Sequence, residues 1–201
     1  TPTVLNFTIS SNVPGLNFNS NTTLCSFDGF KITGSFSFGT VTTSSVSNCI
    51  RLGNNLLFQN NKISNWIISG TINSSTTSNN GTLLLMNGVG STVNNSLFED
   101  NFSTITGGSS QADVWQSPFI HIVASSASAR NVFSNNVLRN NRVTVDFSST
   151  VLTANALTRG LLLSASMFST TTTYFNAIKN TVIHNNDLTY IPNTGSPHQL
   201  T

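Results

Sequence analysis

Four ten-residue segments of the chain align without gaps: Leu57 to Trp66, Leu97 to Thr106, Val137 to Asp146 and Val182 to Ile191. Each carries a large apolar residue at its second position and Asn61, Asn101, Asn141 or Asn186 at its fifth. The anchors Phe58, Phe98, Leu138 and Ile183 are 40, 40 and 45 residues apart. A fifth, weaker copy runs from Ser26 to Gly34; it puts Phe27 31 residues before Phe58 and matches Lys31-Ile32-Thr33 to Lys62-Ile63-Ser64. Self-similarity at such periods means stacked supersecondary units, none able to bury its apolar face alone.

Two further features keep this frame. Asn55, Asn95, Asn135 and Asn180 each stand three residues before an anchor, and a short apolar strand signal precedes each copy: Cys49–Leu52, Leu83–Met86, Phe119–Val123 and Leu161–Ser164. The stretches Thr71 to Gly81, Gly107 to Ser117 and Ser148 to Arg159 are rich in Ser, Thr, Asn and Gly and read as loops of varying length.

Composition decides which repeat architecture is meant. Asn supplies 29 positions and only 7% of residues are charged, which starves helical repeats of helix formers. A four-stranded propeller blade fits the period, but its strands would be very short. A coil of three short strands joined by turns fits better, because equivalent turn residues then stack about 4.8 Å apart. Asn at a fixed turn position can bond the Asn above and below, and it tolerates the left-handed backbone of sharp corners such as Asn60-Asn61, Asn140-Asn141 and Asn185-Asn186. The expected fold is all-β, a right-handed parallel β-helix (solenoid) of about five coils. Residues 1–23 would form an N-terminal strand or cap, 24–191 the repeats, and 192–201 a C-terminal tail or cap. Phe58, Ile63, Phe98, Leu138, Val143, Ile183 and Leu188 should form apolar columns inside it.

The element in Phe58-Gln-Asn-Asn61, Phe98-Glu-Asp-Asn101 and Phe133-Ser-Asn-Asn136 resembles the repeats of chlamydial-type polymorphic outer-membrane proteins and, more broadly, β-helical autotransporter passengers. The resemblance covers residues 24 to 191; the Gly-Gly-Ala-aliphatic element of that family is missing. It implies a secreted, cell-surface, adhesin-like stalk, attached to an outer membrane through a region outside this chain and associated with virulence. Such a stalk binds a host-surface protein or glycan rather than catalysing a reaction.

Charge limits the partners. A net charge of +2 without a Lys/Arg cluster cannot neutralise a run of phosphates, so nucleic acid is not expected. No apolar run reaches the ~20 residues of a transmembrane helix. Thr1 is read as following a removed leader or a fragment boundary. Cys25 and Cys49 could form one bridge or remain two buried thiols, and their spacing fits no metal site.

The competing class is a carbohydrate-active β-helix: a polysaccharide lyase or hydrolase, or a tailspike-like glycan binder. It would need clustered carboxylates, or calcium ligands beside a basic residue. The six acids are Asp28, Glu99, Asp100, Asp113, Asp146 and Asp187. Asp28 and Glu99 share a register that elsewhere holds Gln59, Arg139 and His184, which reads as a solvated turn face. No catalytic residue, cofactor or metal is therefore expected. Ligand contact falls to Trp115 in the polar insertion and to His121, read as facing outward beside Arg51. Trp66 could serve as well, as a sugar platform or as core. A flat ice-binding face would need Thr-x-Thr in every coil. Asn6, Asn21, Asn73, Asn80, Asn94 and Asn101 begin glycosylation sequons. The open strand edges of such a stack must be capped, or copies must associate end to end.

Overall fold

The computed structural model describes residues 2–10, 15–19, 24–41, 48–72, 81–108, 110–111, 115–116, 119–124, 129–152, 157–159, 162–167, 176–193 and 199–200. They are all β, with no helix among them, and every strand pairing between them is parallel.

From Leu16 onward the chain returns to three stacked sheets in a fixed order, and the short strands Ser110–Gln111, Trp115–Gln116, Val151–Leu152, Leu157–Arg159 and Gln199–Leu200 form two further small sheets. A first sheet stacks Leu16–Phe18, Asn48–Leu52, Thr82–Met86, Ile120–Ala124 and Leu163–Met167. A second stacks Cys25–Asp28, Leu56–Gln59, Thr92–Asn94, Val132–Ser134 and Ala177–Lys179. The long sheet has two halves, both of which begin on the twelve-residue strand Phe30–Val41. One half continues through Lys62–Ser64, Leu97–Glu99, Val137–Arg139 and Val182–His184; the other runs through Ile67–Ile72, Phe102–Gly107, Arg142–Asp146 and Asp187–Ile191. Thr3–Ser10 pairs with Phe30–Val41 and begins this sheet one round earlier than the others. The result is a layered stack of parallel sheets compatible with a solenoid.

The local unit is five residues long. In Val137-Leu138-Arg139-Asn140-Asn141 the first and third side chains are partly exposed, Leu138 is buried, Asn140 takes φ 54°, and Asn141 is buried. Three extended residues put one side chain inward. A left-handed residue then turns the chain, and Asn or Asp occupies that position at 55, 60, 65, 95, 100, 135, 140, 180 and 185, because a short polar side chain tolerates it.

The fifth residue forms the ladder. The N–H of Asn101 donates to Asn141 Oδ1 (3.2 Å), and that of Asn141 to Asn186 Oδ1 (3.0 Å). Each of these Asn side chains also reaches back one layer, Asn141 Nδ2 donating to Phe98 O (3.0 Å) and Asn186 Nδ2 to Leu138 O (2.9 Å). A second ladder runs through Asn61, Ser96 and Asn136, and a third through Ser91, Asn131 and Asn176. Corner amides with no sheet partner are satisfied in this way inside the fold.

Apolar columns fill the interior: Phe27–Phe58–Val93–Phe133 in the second sheet, and Ile32–Ile63–Phe98–Leu138 in the long one. Gly70 interrupts the column shared with Ile105 and Val145; a Cβ there would lie 2.2 Å from Phe38 Cε2, so the Phe38 ring takes the space.

Several expectations are corrected. Phe98 pairs with Ile63, not Phe58, and Phe58 pairs with Val93. The Leu57 copy is therefore one five-residue unit out of register, because each round holds two such units that look alike. Ile183 and Leu188 are 49% and 43% exposed, since they lie in the last round and nothing stacks on them among the described residues. Cys49 is buried, Cys25 is exposed, and no bridge joins them; burial pushes the Cys49 thiol well up. His121 is fully buried instead of facing outward, because the first sheet is covered on both faces at its centre, where Thr82 to Met86 are all buried.

Candidate functional site

The feature that recurs in every round, and is neither core nor ladder, is the outer face of the second half of the long sheet. One column runs Ser10–Ser37–Ser69–Thr104–Thr144–Thr189 in register through six strands. Beside it run Thr40–Thr71–Thr106–Asp146 and, on the other flank, Ser35–Ile67–Phe102–Arg142–Asp187. These positions alternate with the buried Phe36, Ile68, Ile105, Val143 and Val145, so the core beneath fixes which residues point out. Hydroxyls are thereby spaced about 4.8 Å along the stack and 6.6 Å along each strand.

The hydroxyls are partly tied together. Thr106 Oγ1 donates to Gly70 O (3.2 Å), so Thr71 Oγ1 is the donor in its 2.9 Å bond to Thr106 Oγ1. Ile67 and Phe102 stand exposed at 60% and 45%. The Arg142 guanidinium lies 5.9 Å from the Phe102 ring centroid, and its Nε donates to Asp187 (3.0 Å). Asp146 accepts from the Ser148 N–H (2.9 Å); bonds from Ser148 hold its carboxyl below the usual range.

Charge gathers on the other half of the same sheet. Glu99 is buried, with its carboxylate paired to Lys62 and to Arg139. Lys62 first, then Arg139, hold it below the ordinary carboxylate range against the opposing effect of burial. Glu99 thus shares a column with Ser64, Arg139 and His184, while Asp28 begins another that holds Gln59, Asn94, Ser134 and Lys179. The expected common register of Asp28 and Glu99 fails for the same five-residue offset, and Glu99 is no solvated turn residue. Asp28 is exposed and accepts from Asn60 and Gln59, both at 2.8 Å, which hold its carboxyl low.

At its first rounds this sheet has an open groove of about 460 Å³, lined by Asn6, Thr8, Lys31, Thr33, Asn65 and Ile67 among others. No group of three or more His, Cys, Asp or Glu positioned for a metal occurs among the described residues.

The residues expected to contact a ligand are not brought together. Arg51 and His121 share a register column of the first sheet, with Leu85 between them. The backbone of Trp115 belongs to a short strand beside Leu157–Arg159, and its side chain lies outside the described residues. Trp66 is buried and stacks on Phe7 at 6.5 Å, so it is core. Asn101 is buried in its ladder, which removes that sequon as an acceptor, whereas Asn6 is exposed. Asn21, Asn73 and Asn80 lie outside the described residues, as do parts of the three expected loops; Ser110–Gln111, Trp115–Gln116, Val151–Leu152 and Leu157–Arg159, expected as loop, are short paired strands.

No family model, curated protein or solved structure matches the chain.

Proposed function

We propose that the chain is a right-handed parallel β-helix of about five coils, displayed at a cell surface as a structural and adhesive element in the manner of an autotransporter passenger. Its binding face is the hydroxyl-bearing outer side of the long sheet, and its ligand is a neutral glycan on a host or neighbouring surface. The observation that carries this reading is the register of Ser37, Ser69, Thr104, Thr144 and Thr189 beside the exposed Phe102 ring. A sugar offers hydroxyls to bond and an apolar ring face to stack, and an exposed aromatic matches the second. Low overall charge supports an uncharged ligand over a polyanion.

A neutral-glycan array tests this with the wild-type chain, Phe102→Ala and Thr104→Val. Binding to neutral glycans that either substitution abolishes supports the reading. Binding that neither substitution changes moves the ligand elsewhere on the molecule, and a blank array removes the glycan.

A further inference from the structure

We propose that the groove on the outer face of the long sheet is a binding site for a single acidic sugar residue, whose carboxylate is met by Lys31.

The groove exists because one corner is a residue short. Two residues, Thr33 and Gly34, separate Ile32 from Ser35, whereas three, Ser64, Asn65 and Trp66, separate their sheet partners Ile63 and Ile67. The next round keeps the three-residue corner, with Glu99, Asp100 and Asn101 between Phe98 and Phe102. The residue without a counterpart in Phe30–Val41 is the left-handed Asn65 (φ 57°), which is exposed. Thr3–Ser10 follows Phe30–Ser37 residue for residue, so two successive strands share the shorter path. The step between the short corner and the long one leaves about 460 Å³, within the roughly 300–1,000 Å³ of small-molecule sites.

Alternation decides which side chains face this space. Lys31, Thr33 and Ser35 alternate with the buried Ile32 and Phe36, and Asn6 and Thr8 stand beside Thr33 and Ser35 on the neighbouring strand. All five line the groove.

What they offer is hydrogen-bond donors. Lys31 enters no ion pair among the described residues, although its sheet neighbour Lys62 is held by Glu99. Thr33 Oγ1 donates to Asn6 Oδ1 (3.0 Å), which occupies the carboxamide oxygen and leaves Asn6 Nδ2 to donate. No carboxylate lines the groove among the described residues. An ammonium, a carboxamide N–H and the Thr8 and Ser35 hydroxyls suit an anion that carries further oxygens, and charge-assisted bonds are the strong ones. An apolar part lies in the same groove: Ile67 and Val4, 60% and 55% exposed, line it as well and can cover the C–H face of a ring. A carboxylate, hydroxyls and a C–H face together describe a uronic-acid-type sugar. One cation calls for one carboxylate and not for a polyanion.

This site is separate from the neutral-glycan face and does not rest on it. That reading stands on Phe102 and the hydroxyl column, this one on Lys31 and the short corner.

Nuclear magnetic resonance titrations of the full chain with D-glucuronate, D-galacturonate, D-glucose and acetate test it, read on the methyl groups of Val4 and Ile67. One of the two uronates should shift both sets of signals saturably. Glucose and acetate, each with half of the chemistry, should bind about tenfold more weakly or not at all. Lys31→Gln, at a half-buried position, should weaken uronate binding about tenfold, the size of one charge-assisted bond, and Lys31→Arg should keep most of it. Phe102→Ala should leave it unchanged. The proposal is overturned if neither uronate moves the wild-type signals, or if acetate or glucose binds as well as the uronate. It is equally overturned if Lys31→Gln leaves uronate binding intact, or if Phe102→Ala abolishes it.

Discussion

The corners and the longer connections of this molecule obey opposite rules. Between the second sheet and the two halves of the long sheet, successive strands are separated by two residues, such as Asn60-Asn61 and Asn140-Asn141, and this spacing holds from the second round to the last. The ladder bonds across these corners span 35, then 40, then 45 residues as the rounds proceed, and all of that growth falls on the connections into and out of the first sheet. The corners cannot change length because their second residue is inside: a residue added there would carry a buried Asn out of its ladder. The connections are tied at points, by the Ser91–Asn131–Asn176 ladder and by the Ser110–Val151 and Trp115–Thr158 pairings, and length added between such points by itself costs little.

An insertion breaks this comparison most sharply. One Gly placed between Asn140 and Asn141 inverts the alternation of Arg142–Asp146, so that Val143 and Val145 face water and Thr144 faces the core. We expect loss of the cooperative unfolding transition. The same Gly placed within residues 73–80 should cost less than about 0.5 kcal/mol. Urea unfolding followed by far-ultraviolet circular dichroism separates the two, and equal tolerance at both places would refute the distinction.

A single ladder residue comes next. Asn141→Leu strips the Asn101 N–H and Nδ2 of their acceptor and the Phe98 carbonyl of a donor, all buried. At about 1–3 kcal/mol for each buried group left unpaired, with some relief from relaxation, we expect a loss of about 3 kcal/mol and a Tm lower by about 10 °C. Thr104→Val, on the outer face of the same sheet, should stay within about 0.5 kcal/mol. Calorimetry decides; a Tm change of only a degree or two for Asn141→Leu would mean that the ladder is dispensable.

The same contrast explains what could be read from the sequence. The Asn pairs announced the corners, and the short Leu- and Ile-rich runs announced the first sheet, because both are local signals that stacking repeats. Register was harder. Phe58 and Phe98 each head a unit of the form apolar, any, Asn or Asp, Asn, so a gapless match between them looks as good as the true pairing of Phe98 with Ile63. Only the strand pairing resolves it. That slip displaced one member of the hydroxyl column: Thr104, Thr144 and Thr189 align in either frame, and strand pairing replaces Ser64 by Ser69 beside them. His121 was misplaced for a different reason: alternation with Ile120 and Ile122 implies one wet face, and this sheet is buried on both.

The smallest expected effect concerns Glu99, a buried carboxylate on the corner side. Glu99 sits between Lys62 and Arg139 and is held below the ordinary carboxylate range by them. A carboxyl depressed in the folded state adds stability above its unfolded pKa, and that stability is lost as pH falls through the folded value. The wild-type chain should therefore keep this contribution at neutral pH and lose it below about pH 4.5. Both cations are about 40% exposed, so screening limits the contribution to about 1 kcal/mol. Glu99→Gln should lower stability by that amount at pH 7, and the difference should shrink as pH falls below the ordinary carboxylate range and the folded-state carboxyl takes up its proton. Denaturant midpoints measured from pH 7 down into the acid range check the sign. A difference that stays undiminished throughout the acid range in which the chain remains folded would mean that Glu99 acts through packing in the corner, which would place it with Asn141 as a structural residue and not as an ion pair.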